Sequence, residues 1–291
     1  MASKYKLQLR SVSSVASSKT TVIDIPVGGR CHYVVLQAGY AAGTNTIAGA
    51  ATHLSEIRVK VNGRVQRTMS GTQLRDMNLL NGTAYDCTGL PNTAPGVSFP
   101  IYFAEPWRKD ARDQDSLAWQ TKGWQSFQIE VDIGAVGTQT AASQTLVAYA
   151  VFDNVQSDGI GICKWIRQSF AAAGTAFDIA TLDRRDWLTQ ISLYADSGAS
   201  LFASKTTLRL SGQIVHEMSQ TANVALNTNM AMTPAASGRT ASITDIVLDH
   251  DDLLGSALNL NGTNDLSLTV EAASAMSGTI TAIVQRIGPP E

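Results

Sequence analysis

The feature that most constrains this chain is a stretch that occurs twice. Residues 59–72, Val-Lys-Val-Asn-Gly-Arg-Val-Gln-Arg-Thr-Met-Ser-Gly-Thr, are matched by residues 208–221, Leu-Arg-Leu-Ser-Gly-Gln-Ile-Val-His-Glu-Met-Ser-Gln-Thr, at a constant offset of 149. Gly63 and Gly212, Met69 and Met218, Ser70 and Ser219, and Thr72 and Thr221 are identical. Both copies enter as an apolar–basic–apolar strand and leave into a short helix-like segment, residues 73–80 and 222–232. Ser70 or Thr72, and Ser219 or Thr221, are the candidate N-caps.

The flanks keep the same order. Val22-Ile23-Asp24-Ile25 leads to Tyr33-Val34-Val35-Leu36, as Ala176-Phe177-Asp178-Ile179 leads to Trp187-Leu188-Thr189-Gln190-Ile191. Downstream, residues 127–133 and 146–151 parallel residues 266–270 and 279–283 at a smaller offset, so the first copy carries the longer loops. One long period in a chain of 291 residues means two whole domains, whereas a solenoid repeats every 20–50 or so residues.

Alternating apolar and polar residues run through nearly the whole length, the period of half-buried strands. Asn62-Gly63, Asn81-Gly82 and Asn261-Gly262 between them suit turns that need positive φ. The class is therefore all-β. Each half has the length and strand number of a jelly roll with a helical excursion. The expected architecture is two tandem eight-stranded jelly-roll barrels, residues 1–155 and 175–291, joined by a linker over 156–174. Within it Ile162, Trp165, Ile166, Ser169 and Phe170 recur at helical spacing, with Gly174 as C-cap. That predicts an amphipathic connecting helix; an extended, strand-like linker is the alternative.

Charged residues make up only 16% of the chain and the net charge is −2. A usual soluble protein carries about 25% charge, so much of this exterior is expected to face copies of itself. The balance argues against wrapping bare nucleic acid, which calls for a basic arm or stripe. Only Lys4, Lys6 and Arg10 cluster near the start. The first residues have no apolar signal-peptide core, and no run approaches the roughly 20 residues of a membrane-spanning helix. Cys31, Cys87 and Cys163 lack the paired spacing of disulfides or zinc sites, so they are expected to be reduced and buried.

Several stretches also carry a family resemblance. They are Leu7-Gln8-Leu9-Arg10-Ser11-Val12, Ile25-Pro26-Val27-Gly28 and Tyr33-Val34-Val35-Leu36; residues 57–63 with Gln73-Leu74-Arg75-Asp76; Phe103-Ala104-Glu105-Pro106; and, at the joint, Trp165-Ile166-Arg167 to Phe170, Gly174-Thr175 and Leu182-Asp183-Arg184. In this order the chain is similar to the major capsid proteins of the corticovirus type, in the double-jelly-roll lineage that includes the tectiviruses. Beyond residue 234 the likeness rests on strand order. The resemblance implies a homotrimeric capsomer packed against neighbouring capsomers and a vertex protein. It also implies a membrane beneath the shell that keeps coat from genome, and synthesis in a bacterial host's cytoplasm. Lys4, Lys6 and Arg10, or Lys164 and Arg167, are then candidates to face that membrane or its proteins. Ordinary solvated cations are the plainer reading.

No catalytic constellation stands out: there is no Gly-x-Ser-x-Gly elbow and no phosphate loop. His216-Glu217 begins like a zinc-protease signature, but the second His is missing and His216 is expected to face out from a strand. Cys31 and His32 are strand neighbours and so point to opposite faces. Glu105 and Glu130 are expected to be a loop residue and a strand-edge residue rather than a glycosidase pair. No cofactor is expected. Asp249-His250-Asp251-Asp252 is the one ion candidate, with Asp249, Asp251 and Asp252 as oxygen donors for Ca²⁺. Trp107, Arg108, Asp110, Arg112, Asp113, Trp119 and Trp124 form a charged, aromatic stretch that is the candidate subunit interface, with a solvated loop as its alternative. Two rival functions remain at this stage: a tandem β-sandwich that binds or cleaves carbohydrate, and a minor vertex protein of the same kind of virus.

Overall fold

The chain, seen in a computed structural model, is described over residues 3–10, 12–13, 15–39, 46–89, 96–134, 145–155, 160–195, 204–240, 243–249, 256–263 and 265–291. It divides into two units, one of residues 1–163 with 289–291, the other of residues 164–288.

Among the described residues the first unit holds ten strands: β1 (Tyr5–Leu9), β2 (Thr20–Asp24), β3 (Arg30–Gly39), β4 (Leu54–Val61), β5 (Arg64–Met69), β6 (Thr88–Gly89), β7 (Val97–Tyr102), β8 (Trp119–Gln120), β9 (Phe127–Ile133) and β10 (Thr145–Asp153). Helices α1 (Ile47–Thr52), α2 (Gly71–Leu80) and α3 (Ala111–Gln114) lie between them. One antiparallel sheet runs β1-β10-β3-β7-β6, with β8 also on β3; the other runs β5-β4-β9-β2. Alternate residues of β9 are fully buried, Phe127, Ile129, Val131 and Ile133, as period 2 demands of a strand with one face on a core. At the centre Phe103, Trp119 and Phe127 pack with ring centroids 4.4–5.5 Å apart.

The second unit contains most of β11 (Ile162–Ile179), then β12 (Trp187–Ala195), β13 (Lys205–Leu210), β14 (Gln213–Ser219), α4 (Gln220–Asn229), β15 (Ile243–Val247), β16 (Leu258–Asn259) and β17 (Leu266–Gly288). Strand β12 pairs with β15, β16 and the later half of β17, while the earlier half of β17 pairs with β13, and β13 with β14. Strand β11 lies beside β17. The core is aliphatic, built on Leu188, Ile191, Leu193, Leu208, Ile246, Leu268, Ile280 and Val284. In both units the described sheets keep open edges instead of closing into barrels.

The connecting helix is corrected: residues 162–179 form strand β11, continuous through the alanine-rich stretch. Helix propensity is a weak prior, and pairing along β17 overrides it.

The sequence repeat is a repeat of geometry. Hairpin β4–β5 turns through Asn62 and Gly63 at φ 51° and 80°, and hairpin β13–β14 through Ser211 and Gly212 at φ 49° and 80°. Both are two-residue turns with positive φ at each position, which glycine or a small polar residue tolerates. A bulge follows each turn at matching positions, Val59/Lys60 and Leu208/Arg209, leaving Gln66 and Val215 as the extra residues. Ser70 and Ser219 then cap α2 and α4, accepting from Gln73 N and Ala222 N. Asn78 and Asn227, again 149 apart, sit buried on those helices. Each donates its side-chain amide to a strand carbonyl, Pro100 O in β7 and Asp245 O in β15.

Candidate functional site

The expected interface stretch is largely turned inward. Trp119 is fully buried against Phe103 and Phe127, with the Arg67 guanidinium 5.1 Å above its ring. It is a core residue of the first unit and offers nothing to a neighbour. Trp124 is half-buried and edge-on to Trp119 and Phe127; Trp107 closes an aromatic group with Tyr85 and Tyr102. Arg108 is buried and paired with Glu105. Asp110 is exposed and Asp113 half-buried, and both remain at the surface. Arg112 belongs to α3, and its side chain lies outside the described residues.

Of the candidate membrane-facing cations, Lys164 is corrected: it is buried and its ammonium meets Asp186 Oδ2 at 2.5 Å. Lys4 is exposed but bound to Asp115 at 2.9 Å. Lys6 and Arg10 are exposed, and Arg167 is half-buried. For the calcium candidate, Asp249 is buried, and Asp251 and Asp252 lie outside the described residues. His216 is also corrected, since it faces in and meets Thr206 Oγ1 at 3.1 Å. Glu105 pairs with Arg108, and Glu130 with Arg58 and Lys60, so each carboxylate is committed to a cation. All three cysteines are free and buried, and burial pushes the Cys31 thiol well above its ordinary pKa.

One cluster was invisible in the sequence. Four distant segments converge on His32 of β3. Its Nε2 meets Asp153 Oδ2 of β10 at 2.8 Å. Its Nδ1 lies 3.0 Å from Asp115 Oδ1, off the line that a hydrogen bond requires. Arg30 grips Asp153 through Nε and Nη2 at 3.1 and 2.6 Å, and Lys4 reaches Asp115 from just before β1. Burial alone would raise the Asp153 pKa; hydrogen bonds from Arg30 and His32 overcome it and hold the carboxyl at about 2. Burial lowers the His32 pKa against the pull of Asp153. One imidazole and two carboxylates within 4.8 Å are a donor set for a divalent cation, but Arg30 and Lys4 already balance both carboxylates. What the arrangement does is tie the segment entering β1, strand β3, the 105–124 loop and β10 into one body.

The surface that remains apolar and open lies elsewhere. Ile214 and Val215 on β14 are exposed, as are Leu7 on β1, Trp187 at the start of β12, Val27 and Ile160.

The comparisons with known proteins give this its meaning. A family model described as "Viral coat protein P2 N-terminal domain" matches residues 6–155, more than half of the chain. The chain belongs to the viral coat protein P2 family. Among solved structures, the major capsid protein P2 of bacteriophage PM2 is 18% identical with a TM-score of 0.76, over 97% of this chain and 96% of that one. The major capsid protein of STIV, Sulfolobus turreted icosahedral virus, is 12% identical with a TM-score of 0.67, over 98% and 97%. The PBCV-1 virus capsid is 11% identical with a TM-score of 0.66, over 98% and 93%. A search of curated proteins by sequence finds no match. The fold is thus the double jelly roll of viral capsid proteins, and the P2-family chain is a structural coat protein rather than an enzyme.

Proposed function

We propose that this P2-family protein is the major capsid subunit of a membrane-containing icosahedral virus, acting as a homotrimeric capsomer. The observation that carries the reading is the doubled hairpin–helix unit, with bulge, positive-φ turn and serine cap each repeated 149 residues apart. Two similar units per chain become six around a three-fold axis. Such a capsomer has a nearly hexagonal outline and tiles a lattice, as closed heterologous interfaces allow. A minor vertex protein at a five-fold position has no use for this duplication, which counts against that rival.

The partners implied are other copies in the trimer, neighbouring capsomers, a vertex protein and the underlying membrane or its proteins. Low net charge fits a coat that does not bind the genome. Lys6 and Arg10 are the exposed cations best placed in sequence to meet headgroups, since Lys164 is buried. The role calls for no cofactor, and a calcium ion at Asp249, Asp251 and Asp252 would serve cohesion rather than chemistry. For a carbohydrate-binding role, the burial of Trp119 removes one of the three tryptophans on which sugar stacking would depend.

The deciding measurement is the solution mass by light scattering over a range of concentrations. A mass near three times 30.9 kDa that resists dilution supports the capsomer. A monomer at high concentration overturns it and makes glycan binding the next assay.

A further inference from the structure

The two copies of the repeated hairpin differ in what covers them. In the first unit the second strand, β5, is closed over within that unit. Arg67 Nε donates to Cys163 O at 2.7 Å, and the bulge residue Gln66, fully buried, exchanges bonds with the backbone of Glu291. In the second unit the corresponding strand, β14, pairs with β13 alone and ends its sheet. Its bulge residue is Val215, 39% exposed, and the residue before it is Ile214, 52% exposed. The positions equivalent by the repeat are Gln66 and Val65, the one buried and the other half-buried.

An edge strand of seven residues that leaves Ile214 and Val215 exposed is a liability that natural proteins cover or blunt. Among the described residues, none pairs with the free side of β14. The repeat also identifies what is missing. Cys163 stands at the start of β11, and β11 holds along β17 the place that β1 holds along β10. The counterpart of Cys163 in the first unit is therefore the segment entering β1, Ser3-Lys4-Tyr5. That segment continues into Lys6 and Leu7, both exposed, with Leu7 38% accessible.

We propose that the β14 edge of one copy is covered by the segment entering β1 of a second copy. Leu7 then packs near Ile214 and Val215, and Lys6 faces Glu217. The contact joins the second unit of one chain to the first unit of the next, so it is heterologous, and three-fold rotation closes it as a ring. It rests on the trimer reading and names a surface within it.

Two sets of variants test it, with the wild type as reference. Ile214→Lys with Val215→Glu is expected to lower the mass in solution from about three chains to one of 30.9 kDa, while circular dichroism and thermal unfolding stay near wild type because both side chains are exposed. Leu7→Cys with Val215→Cys, oxidised, is expected to give covalent species that end at three chains on a non-reducing gel, with neither single variant exceeding two. A wild type that is monomeric at every concentration overturns the trimer and this contact together. A wild-type trimer that persists in the Lys/Glu variant, and whose cysteine pair does not cross-link or links only within one chain, overturns this contact and leaves the trimer standing.

Discussion

The two units are copies by sequence, yet they solve the same packing problem with different materials. The first is centred on Phe103, Trp119 and Phe127, with Arg67 buried among them. The second is centred on leucine, isoleucine and valine, and its buried charges include a closed pair, Arg239 on Asp245 at 2.7 Å. The strands differ too. The first unit has β1 and β2, and β9 and β10, as separate strands, whereas the second runs the matching pairs as single strands, β11 and β17. What survives in both is the hairpin, its bulge, the capped helix and the buried asparagine. Turn, bulge and cap have few chemical solutions, while a core can be refilled by any set of side chains of the right volume.

The difference in buried charge gives the largest expected effects. Arg239→Ala leaves Asp245 charged without its partner in a dry site, and should lower stability by about 3–5 kcal/mol in chemical denaturation. Arg67→Ala removes stacking and orphans the carbonyls of Tyr102 and Cys163, so a loss of about 3 kcal/mol is expected. Its counterpart His216→Ala gives up one hydrogen bond to Thr206 and should cost about 1 kcal/mol. Equal losses for Arg67 and His216 would mean that the two cores depend on this position alike.

The asparagines sharpen the comparison. Asn78→Ala strips Pro100 O of its side-chain donor and should cost about 1–3 kcal/mol. Asn227→Ala should cost less, because Asn223 also donates to Asp245 O, at 2.6 Å. Only the double variant Asn223→Ala with Asn227→Ala should match the loss at Asn78.

Acid probes one carboxylate in each unit. Asp153 and Asp183 are both held at about 2, where burial opposes and hydrogen bonds from arginine prevail, against about 3.9 unfolded. A depressed carboxyl stabilises the fold above its unfolded pKa and loses that contribution as pH falls through its folded value. Stability should therefore drop between about pH 4 and pH 2, by about 2 kcal/mol for Asp153 and less for the more solvated Asp183. Asp153→Asn should flatten most of that slope. The smallest effect expected is at the paired turns. Gly63→Ala and Gly212→Ala meet no neighbouring atoms but hold φ near 80°, so each should cost about 1 kcal/mol.

Local order was legible where local chemistry fixes it. Asn62-Gly63 and the two serine caps were readable because turns and caps depend on a few adjacent residues. Strand β11 was misread because Ile162, Trp165 and Ile166 fall at helical spacing only where the strand is buried on both sides, which erases alternation. His216 was placed outward because the extra residue Val215 shifts the phase of β14, and a bulge leaves no mark on period 2. The His32 cluster was out of reach, since Lys4, His32, Asp115 and Asp153 meet only once sheets have formed. Trp119 read as a surface anchor because it follows a run of charges, and nothing local shows that β8 turns it onto Phe103.

The first unit includes residues 289–291, with Glu291 bonded to Gln66 225 positions earlier. The first unit therefore draws on a segment that follows the second in sequence. During synthesis β5 lacks the contact with Glu291 until residues 289–291 have been made, so the first unit is not finished as an independent piece. The two units are thus coupled in time, since the one made first waits for a segment that follows the second.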